Sequence, residues 1–305
     1  MEFEKYHKLK RLGDNENKDI FSNPEDIIHI QEKIDGGNFR FYVNNGKLIF
    51  GSRTQELNEE DNSSKAFRRC INYVRECIGN KDLTMYEGLI FYGEACHKHS
   101  LSYDWDKIPP FLGFDIKNEE GYLFYDQVND IYNNLGLQIV PLVACVQAKD
   151  IVLPITDDFV PVTKYPAIGS EDIYAEGVVF KNYGKQVFAK YVRDAFKELN
   201  GKTFGGNPKY NKVDDTDNAE FTFKFCTNAR IEKIILKQLD CGNQLSMKLM
   251  GNLIRDVYLD IIEEEWKDIL TSNWKLDFKN LRKSIAPRVR AVLEQVIDNN
   301  LIQNK

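Results

Sequence analysis

The chain has 305 residues, 42% hydrophobic and 29% charged, with 41 Lys and Arg against 47 Asp and Glu for a net charge of −6. Such a length holds one large domain or two ordinary ones, and the balance is that of a globular chain rather than a disordered or fibrous one. The acidic surplus speaks against a protein that coats nucleic acid through a uniformly cationic surface, but it leaves room for a local basic groove. No apolar run is long enough to span a bilayer, and the N-terminal MEFEKYHKLKRLGD lacks an apolar signal core. Six scattered cysteines without a CxxC pair predict neither a zinc site nor a disulfide framework, and the expected compartment is a reducing cytoplasm.

In chain order, Lys8, Lys10 and Arg11 form a first basic cluster. Ile27, Ile28 and Ile30 belong to one apolar run and Phe39, Phe41 and Val43 to a second, so QEKIDGGNFR (31–40) falls at the break between two strands. Lys33 is expected at the end of the first, with Glu32 and Asp35 beside it. Gly36 and Gly37 are expected to make a tight turn that lets a ligand approach the backbone. Alone, this segment reads equally well as a surface hairpin with solvated charges.

Asn44-Asn45-Gly46 then predicts a hairpin joining Phe39–Val43 to Lys47–Phe50, which ends in Gly51-Ser52-Arg53. Ser63 opens a predicted helix with Phe67, Ile71, Val74 and Ile78 on one face and Gly79 as its stop. Strands are predicted at Gly88–Tyr92, closing on Gly93-Glu94, and at Phe111–Ile116. A helix is expected over Tyr125–Leu135 and an extended segment over Leu137–Val143. EGVVFKN (176–182) and QVFAKYV (186–192) form a second hairpin around Tyr183-Gly184, carrying a second basic cluster of Lys181, Lys185, Lys190 and Arg193. DAFKEL (194–199) is predicted helical, and 205–218 is the best linker. Beyond it, helical spacing appears at Ile231–Leu239, Leu245–Ile262 and Ile285–Ile297, with Pro287 expected in the first turn of the last.

The expected fold class is therefore α+β: a domain of mixed and antiparallel sheet over residues 1–212, followed by a small all-helical domain over 213–305.

Lysine is a nucleophile only when neutral, and an ordinary value near ~10.4 leaves almost none neutral at pH 7. Carboxylates beside Lys33 hold its proton on. A divalent cation among Asp35, Glu94 and Glu176 reverses this by neutralising the acids and disfavouring a nearby ammonium. Each of these acids ends a strand or adjoins a glycine, which allows them to converge on one concave sheet.

Taken in order, the fragments Lys33-Ile34-Asp35-Gly36 with Asn38, Gly51-Ser52-Arg53, Tyr92-Gly93-Glu94, Phe114-Asp115-Ile116, Glu176-Gly177-Val178-Val179-Phe180-Lys181 and Ala189-Lys190 form a set. In that order the chain resembles the covalent nucleotidyltransferases, and within them ATP-dependent RNA ligases of the RNA ligase 2 type, over roughly Lys5 to Phe196. Each fragment alone is common; the ordered set is specific. The resemblance implies that Lys33 attacks the α-phosphorus of ATP to form a lysyl-AMP phosphoramidate. It implies that Glu32 and Ile34 lie at the nucleotide, Glu32 by hydrogen bonding the adenine and Phe114 by stacking on it. Arg53 would contact ribose or phosphate, and Glu94 the ribose hydroxyl. Asp35, Glu94 and Glu176 would orient water around Mg2+ or Mn2+. Lys190, with Lys181, would neutralise charge at the α-phosphate. Asn38 would lie near the nucleotide and then the RNA-end phosphate.

The chain departs from that pattern in two places. Ligases of this type usually close the set with two lysines one residue apart, whereas Lys190 stands between Phe188 and Val192. Lys181, Arg193 or Lys197 are the candidates for the missing charge. Asp35 stands where phage-type relatives often carry histidine. His97 and His99 could line the cleft, although magnesium prefers oxygen ligands. The helices after Asn218, in place of an oligonucleotide-binding barrel, favour the RNA ligase 2 type. There the basic run Lys275, Lys279, Arg282, Lys283, Arg288 and Arg290 either tracks phosphates or is a solvated face. The expected function is sealing of RNA 3′-hydroxyl and 5′-phosphate ends without a membrane partner, with nicked, splinted and single-stranded ends left open as substrates. The alternatives are a ligase acting on DNA or mixed duplexes and a binder of RNA ends without catalysis.

Overall fold

A computed structural model describes residues 4–58, 62–96, 103–167, 173–193, 216–272 and 274–303. The chain divides into two compact units, Met1–Arg193 and Asp194–Lys305. The boundary expected after residue 212, the 194–199 helix with Lys197, linker positions 205–215, and His97 with His99 all lie outside the described residues.

Among the described residues the first unit contains two five-stranded sheets. Its strands are β1 (Lys10–Arg11), β2 (Ile27–Lys33), β3 (Gly37–Asn44), β4 (Lys47–Ser52), β5 (Ile90–Ala95), β6 (Phe111–Asn118), β7 (Gly121–Tyr122), β8 (Leu142–Gln147), β9 (Gly177–Asn182) and β10 (Val187–Val192). One sheet has the order β1-β10-β9-β2-β8 and the other β4-β3-β5-β6-β7. The β3–β4 hairpin forms where Asn45 and Gly46 supply the two left-handed positions, φ 51° and 69°. The β9–β10 hairpin also forms, and all six residues of β9 are buried because β2 and β10 flank it on both edges.

Each sheet covers a core with one face. Ile28, Ile30, Val178, Phe180 and Ala189 pack with Ile20 and Ala148 under the first sheet. Phe39, Phe41, Phe91 and Phe111 of the second pack on α1 (Arg68–Ile78) and α2 (Tyr125–Leu135). A 3-10 segment, Asn62–Phe67, precedes α1, and Gly79 at φ 58° stops it. The other two faces look at one another, and the buried Lys181 of β9 is paired with Asp115 of β6 across the gap, 2.8 Å apart.

Lys33 ends β2 in one sheet and Gly37 begins β3 in the other, so Ile34, Asp35 and Gly36 carry the chain between sheets. The tight turn expected there is replaced by this crossing, and neither Gly36 nor Gly37 takes a positive φ. Gly36 is required by packing: a Cβ would lie 2.6 Å from the Ala95 carbonyl oxygen and 2.9 Å from Glu94 Cγ.

The second unit comprises α3 (Thr216–Phe225), α4 (Asn228–Asp240), α5 (Met250–Thr271) and α6 (Phe278–Gln303). Phe221, Ile231, Ile235, Leu253, Val257, Leu281, Ile285 and Val289 fill its core. α3 begins inside the stretch expected to be linker. Pro287 lies in the interior of α6, because the helix starts at Phe278 rather than near Ile285. Arg230 meets Glu265 at 2.5 Å and Asp260 at 3.2 Å. Arg288 is buried at 7% exposure with Nε 3.3 Å from Asn228 Oδ1, so it leaves the expected basic surface, where Lys275, Lys279, Arg282, Lys283 and Arg290 are exposed. No helix among the described residues is long and apolar enough to cross a membrane.

Candidate active site

Strand alternation and the register of β2, β9 and β10 arrange the inward face of the first sheet in three rows. His29, Lys181 and Phe188 form one; Gln31, Val179 and Lys190 the next; Lys33, Gly177 and Val192 the third. Successive rows are ~7 Å apart. The His29 row is closed by rings and an ion pair: His29 stacks on Tyr125, and Lys181 lies 5.3 to 5.9 Å from the centres of Phe114, Tyr183 and Phe188. Lys33 belongs to the open end, its side chain 22% exposed.

Gly177 is the register partner of Lys33, and Glu176 immediately precedes it. That brings Glu176 Oε2 to 2.7 Å from Lys33 Nζ across 143 residues of sequence. A Cβ at Gly177 would stand 1.9 Å from the Tyr191 carbonyl oxygen, so only glycine allows β9 and β10 to close here. Burial alone lowers the pKa of Lys33. The charges of Glu176, then Glu94 and Asp35, together with the hydrogen bond from Lys33 to Glu176, outweigh it and hold the ammonium above the ordinary lysine value. Three acids from β5, the crossing and the lead-in to β9 thus act on one amine. Asp35 is buried and its N–H donates to Tyr103 Oη at 2.9 Å.

Among the described residues no group of three His, Cys, Asp or Glu side chains is placed to hold a metal ion directly. The donor set is nonetheless oxygen-only and gathered around one amine. It suits a hard cation that keeps part of its water, the form in which Mg2+ usually binds.

Asn38 of β3 pairs in register with Glu94 of β5, so both face inward, and Asn38 Oδ1 is buried without a hydrogen-bond partner among the described residues. Phe114 reaches the same face by a β-bulge. Tyr92 opposes Asp115 and Gly93 opposes Gly113, leaving Phe114 as the extra residue on β6. It packs edge-on to Tyr6 at 4.9 Å. Arg53 follows β4, close enough to His7 for its charge to add to the lowering of that imidazole's pKa, which burial dominates.

Glu32 is 3% exposed; Thr163 Oγ1 donates to its Oε1 at 2.5 Å and the Lys164 N–H to its Oε2 at 3.2 Å. Burial raises its pKa, and those two hydrogen bonds offset part of the rise. Ile34 is buried at 3%.

Lys181 is not placed with the expected phosphate-binding charges. Its ammonium donates to Asp115 Oδ2 and the Phe114 carbonyl, both at 2.8 Å. Burial lowers its pKa, and Asp115 opposes the fall. Tyr6 and Tyr183 hydroxyls donate to Asp115 as well, at 2.6 and 2.8 Å. Lys190 remains on the inward face in the middle row, and its register neighbour on the outer strand is Arg11 of β1. Sequence reasoning missed Arg11, Thr163, Tyr103 and Gln31; only Arg11 carried a signal, in its basic cluster.

The model of a family described as RNA ligase matches residues 26–197. No curated protein matches the chain. A solved structure of Naegleria gruberi RNA ligase with PPi aligns at TM-score 0.48 and 18% identity, over 64% of this chain and 57% of that one. A variant of the same ligase with AMP and Mn aligns at TM-score 0.46 and 18% identity, over 62% and 56%. A further variant, with ATP and Mn, gives 0.45 and 18% over 62% and 56%. The chain thus spans less than three fifths of the length of these structures.

Proposed function

The chain belongs to the RNA ligase family, and on that premise we propose that it seals RNA 3′-hydroxyl and 5′-phosphate ends with ATP, through a lysyl-AMP intermediate on Lys33. The observation that carries the reading is the amine of Lys33 at the open end of an inter-sheet cleft, 2.7 Å from Glu176 and under the charges of Glu94 and Asp35.

In this reading Lys33 Nζ, once it has lost a proton, forms an N–P bond to the α-phosphorus as the bond to pyrophosphate breaks. The RNA 5′-phosphate then takes AMP from Lys33, and the 3′-hydroxyl displaces AMP to close the phosphodiester. Asp35, Glu94 and Glu176 would hold Mg2+ or Mn2+ through water, and the cation would supply positive charge beside the phosphates. The proton of Lys33 passes to Glu176 Oε2, which accepts its hydrogen bond at 2.7 Å, and from there to water. Lys190 stabilises charge on the α-phosphate. Because Lys181 is committed to Asp115, Arg11 beside Lys190 takes the place of the second lysine. Phe114 stacks on the base, Arg53 and Glu94 hold the ribose, and Asn38 receives the RNA-end phosphate. The helical unit engages RNA through its exposed basic residues. In-line positioning and fixed charge do most of the work, as in other phosphoryl transfers.

Incubation with α-labelled ATP and magnesium should label the protein, and Lys33→Ala should abolish the label. Sealing assays on matched nicked duplexes, with RNA or DNA on each strand in turn, then fix the substrate. Absence of label on the unsubstituted protein would leave only an end-binding role, and sealing confined to DNA strands would refute RNA as substrate.

A further inference from the structure

Tyr103 is 2% exposed and stands 68 residues along the chain from Asp35, whose backbone N–H donates to its hydroxyl at 2.9 Å. The contact is made at the crossing between the sheets, where Ile34, Asp35 and Gly36 belong to neither strand ladder. A buried N–H outside a ladder has to find an acceptor elsewhere, and here a side chain supplies it. The Tyr103 ring meets Trp105 edge-on at 5.7 Å. Phenylalanine would keep that packing and leave the Asp35 N–H stranded.

The phenol is not brought there alone. Tyr103 forms an antiparallel bridge with Pro166, and the Asp104 N–H donates to the Tyr165 carbonyl at 3.1 Å. From the same short run, Thr163 Oγ1 and the Lys164 N–H hold the two carboxylate oxygens of Glu32. Two segments far apart in sequence therefore make one clamp. It grips the residue before Lys33 by its side chain and the residue two beyond it by its backbone. Between those grips lies the amine, 2.7 Å from Glu176. The charges of Asp35, Glu176 and Glu32 all reach the Tyr103 hydroxyl, so the phenol is packed among the acids and away from solvent.

We propose that Tyr103 is a positioning residue for the adenylylation step. By holding the backbone of Asp35 it fixes the crossing, and with it the approach of Lys33 to the α-phosphorus and the place of the Asp35 carboxylate beside the hydrated cation. The proposal rests on the lysyl-AMP reading of Lys33. Aim of this kind acts on the reaction step, because an amine held in line gains rate without added affinity for the nucleotide. The Tyr103 hydroxyl touches neither.

The test uses the full-length chain, Tyr103→Phe, and Tyr165→Phe as a control. Tyr165 is also buried in the clamp, at 5% exposure, but its hydroxyl has no hydrogen-bond partner among the described residues. Hydrogen exchange at the Asp35 amide, followed by NMR, reads the bond without any nucleotide. It should be slow in the unsubstituted protein and about tenfold faster or more in Tyr103→Phe. In single-turnover labelling by ATP, Tyr103→Phe should lower the rate at saturating ATP by roughly tenfold and keep the half-saturating ATP concentration within about twofold. The half-saturating manganese concentration should rise severalfold. Tyr165→Phe should leave all four readings unchanged. An Asp35 amide that exchanges freely in the unsubstituted protein overturns the proposal, whether or not the variant folds. So does a full labelling rate in Tyr103→Phe, a loss confined to ATP affinity, or an equal loss in Tyr165→Phe, which would mean general packing. If the unsubstituted chain takes no label from ATP, the ligase reading itself fails, and that is seen before any variant is made.

Discussion

The ammonium of Lys181 lies 2.8 Å from Asp115 Oδ2, both side chains at most 2% exposed, and this pair joins the two sheets at the closed end of the cleft. Tyr6 and Tyr183 complete the shell around the same carboxylate. Removing one partner strands a buried charge, while removing both does not. Asp115→Asn or Lys181→Met should therefore each cost about 3–5 kcal/mol of unfolding free energy. The double variant should cost clearly less than the sum of the two. Urea titration of all four proteins measures the coupling, and strict additivity would show the pair to be energetically idle.

Lys33 offers a pH test whose sign is fixed by its surroundings. Its raised pKa comes from Glu176, Glu94 and Asp35 overcoming burial. Glu176→Gln removes the strongest of the three and leaves burial, which lowers the value. Without metal, Lys33 in Glu176→Gln should be neutral at lower pH and react faster with an amine-directed acylating reagent, read by peptide mass mapping. Yet label from ATP should fall by tenfold or more. The same linkage makes the Lys33 pairing a stabilising term at pH values below the ordinary lysine pKa, lost as the pH rises through the raised one.

At Gly36 the expectation is an active-site effect caused by backbone crowding. A Cβ there meets the Ala95 carbonyl oxygen at 2.6 Å and Glu94 Cγ at 2.9 Å. Gly36→Ala should push Glu94 off the cleft face and cut label formation by roughly tenfold or more, with far-ultraviolet circular dichroism preserved. Full activity in this variant would show that Glu94 tolerates displacement.

In the helical unit the basic residues divide into two kinds. Lys279, Arg282 and Lys283 are exposed, and Arg288 is buried against Asn228. Replacing each of the first three by Gln should weaken RNA binding. It should also flatten the salt dependence, by up to about 0.9 in the log–log slope for each phosphate no longer neutralised. Arg288→Gln should lower the melting temperature and leave that slope unchanged. Filter binding across a salt series separates the two.

Much of the fold could be read from local chemistry. Asn45-Gly46 specified its hairpin, Gly79 its helix stop, and the spacing of Phe67, Ile71, Val74 and Ile78 the buried face of α1. What could not be read depends on partners distant in sequence. Alternation would set Phe114 and Asp115 on opposite faces; a bulge, fixed by pairing with β5, places both inward. Lys181 has the same composition signal as a phosphate-binding lysine, and only the tertiary position of Asp115 shows that its ammonium is engaged in a buried ion pair. Gly36 has the local signature of a turn residue because a close approach by β5 leaves no trace in the neighbouring sequence. Pro287 reads as a helix start because the turns of α6 before it carry sparse apolar residues.

Lys33 and Asp35 sit at and within the short bridge between the sheets, and that geometry bears on how a bulky polymer end could be admitted. The two sheets are tethered twice, by the backbone beside the nucleophile at the mouth and by the Lys181–Asp115 pair at the far end. Parting them there would mean breaking an ion pair sealed from water, so the polymer end has to be received at the mouth, where the amine already stands.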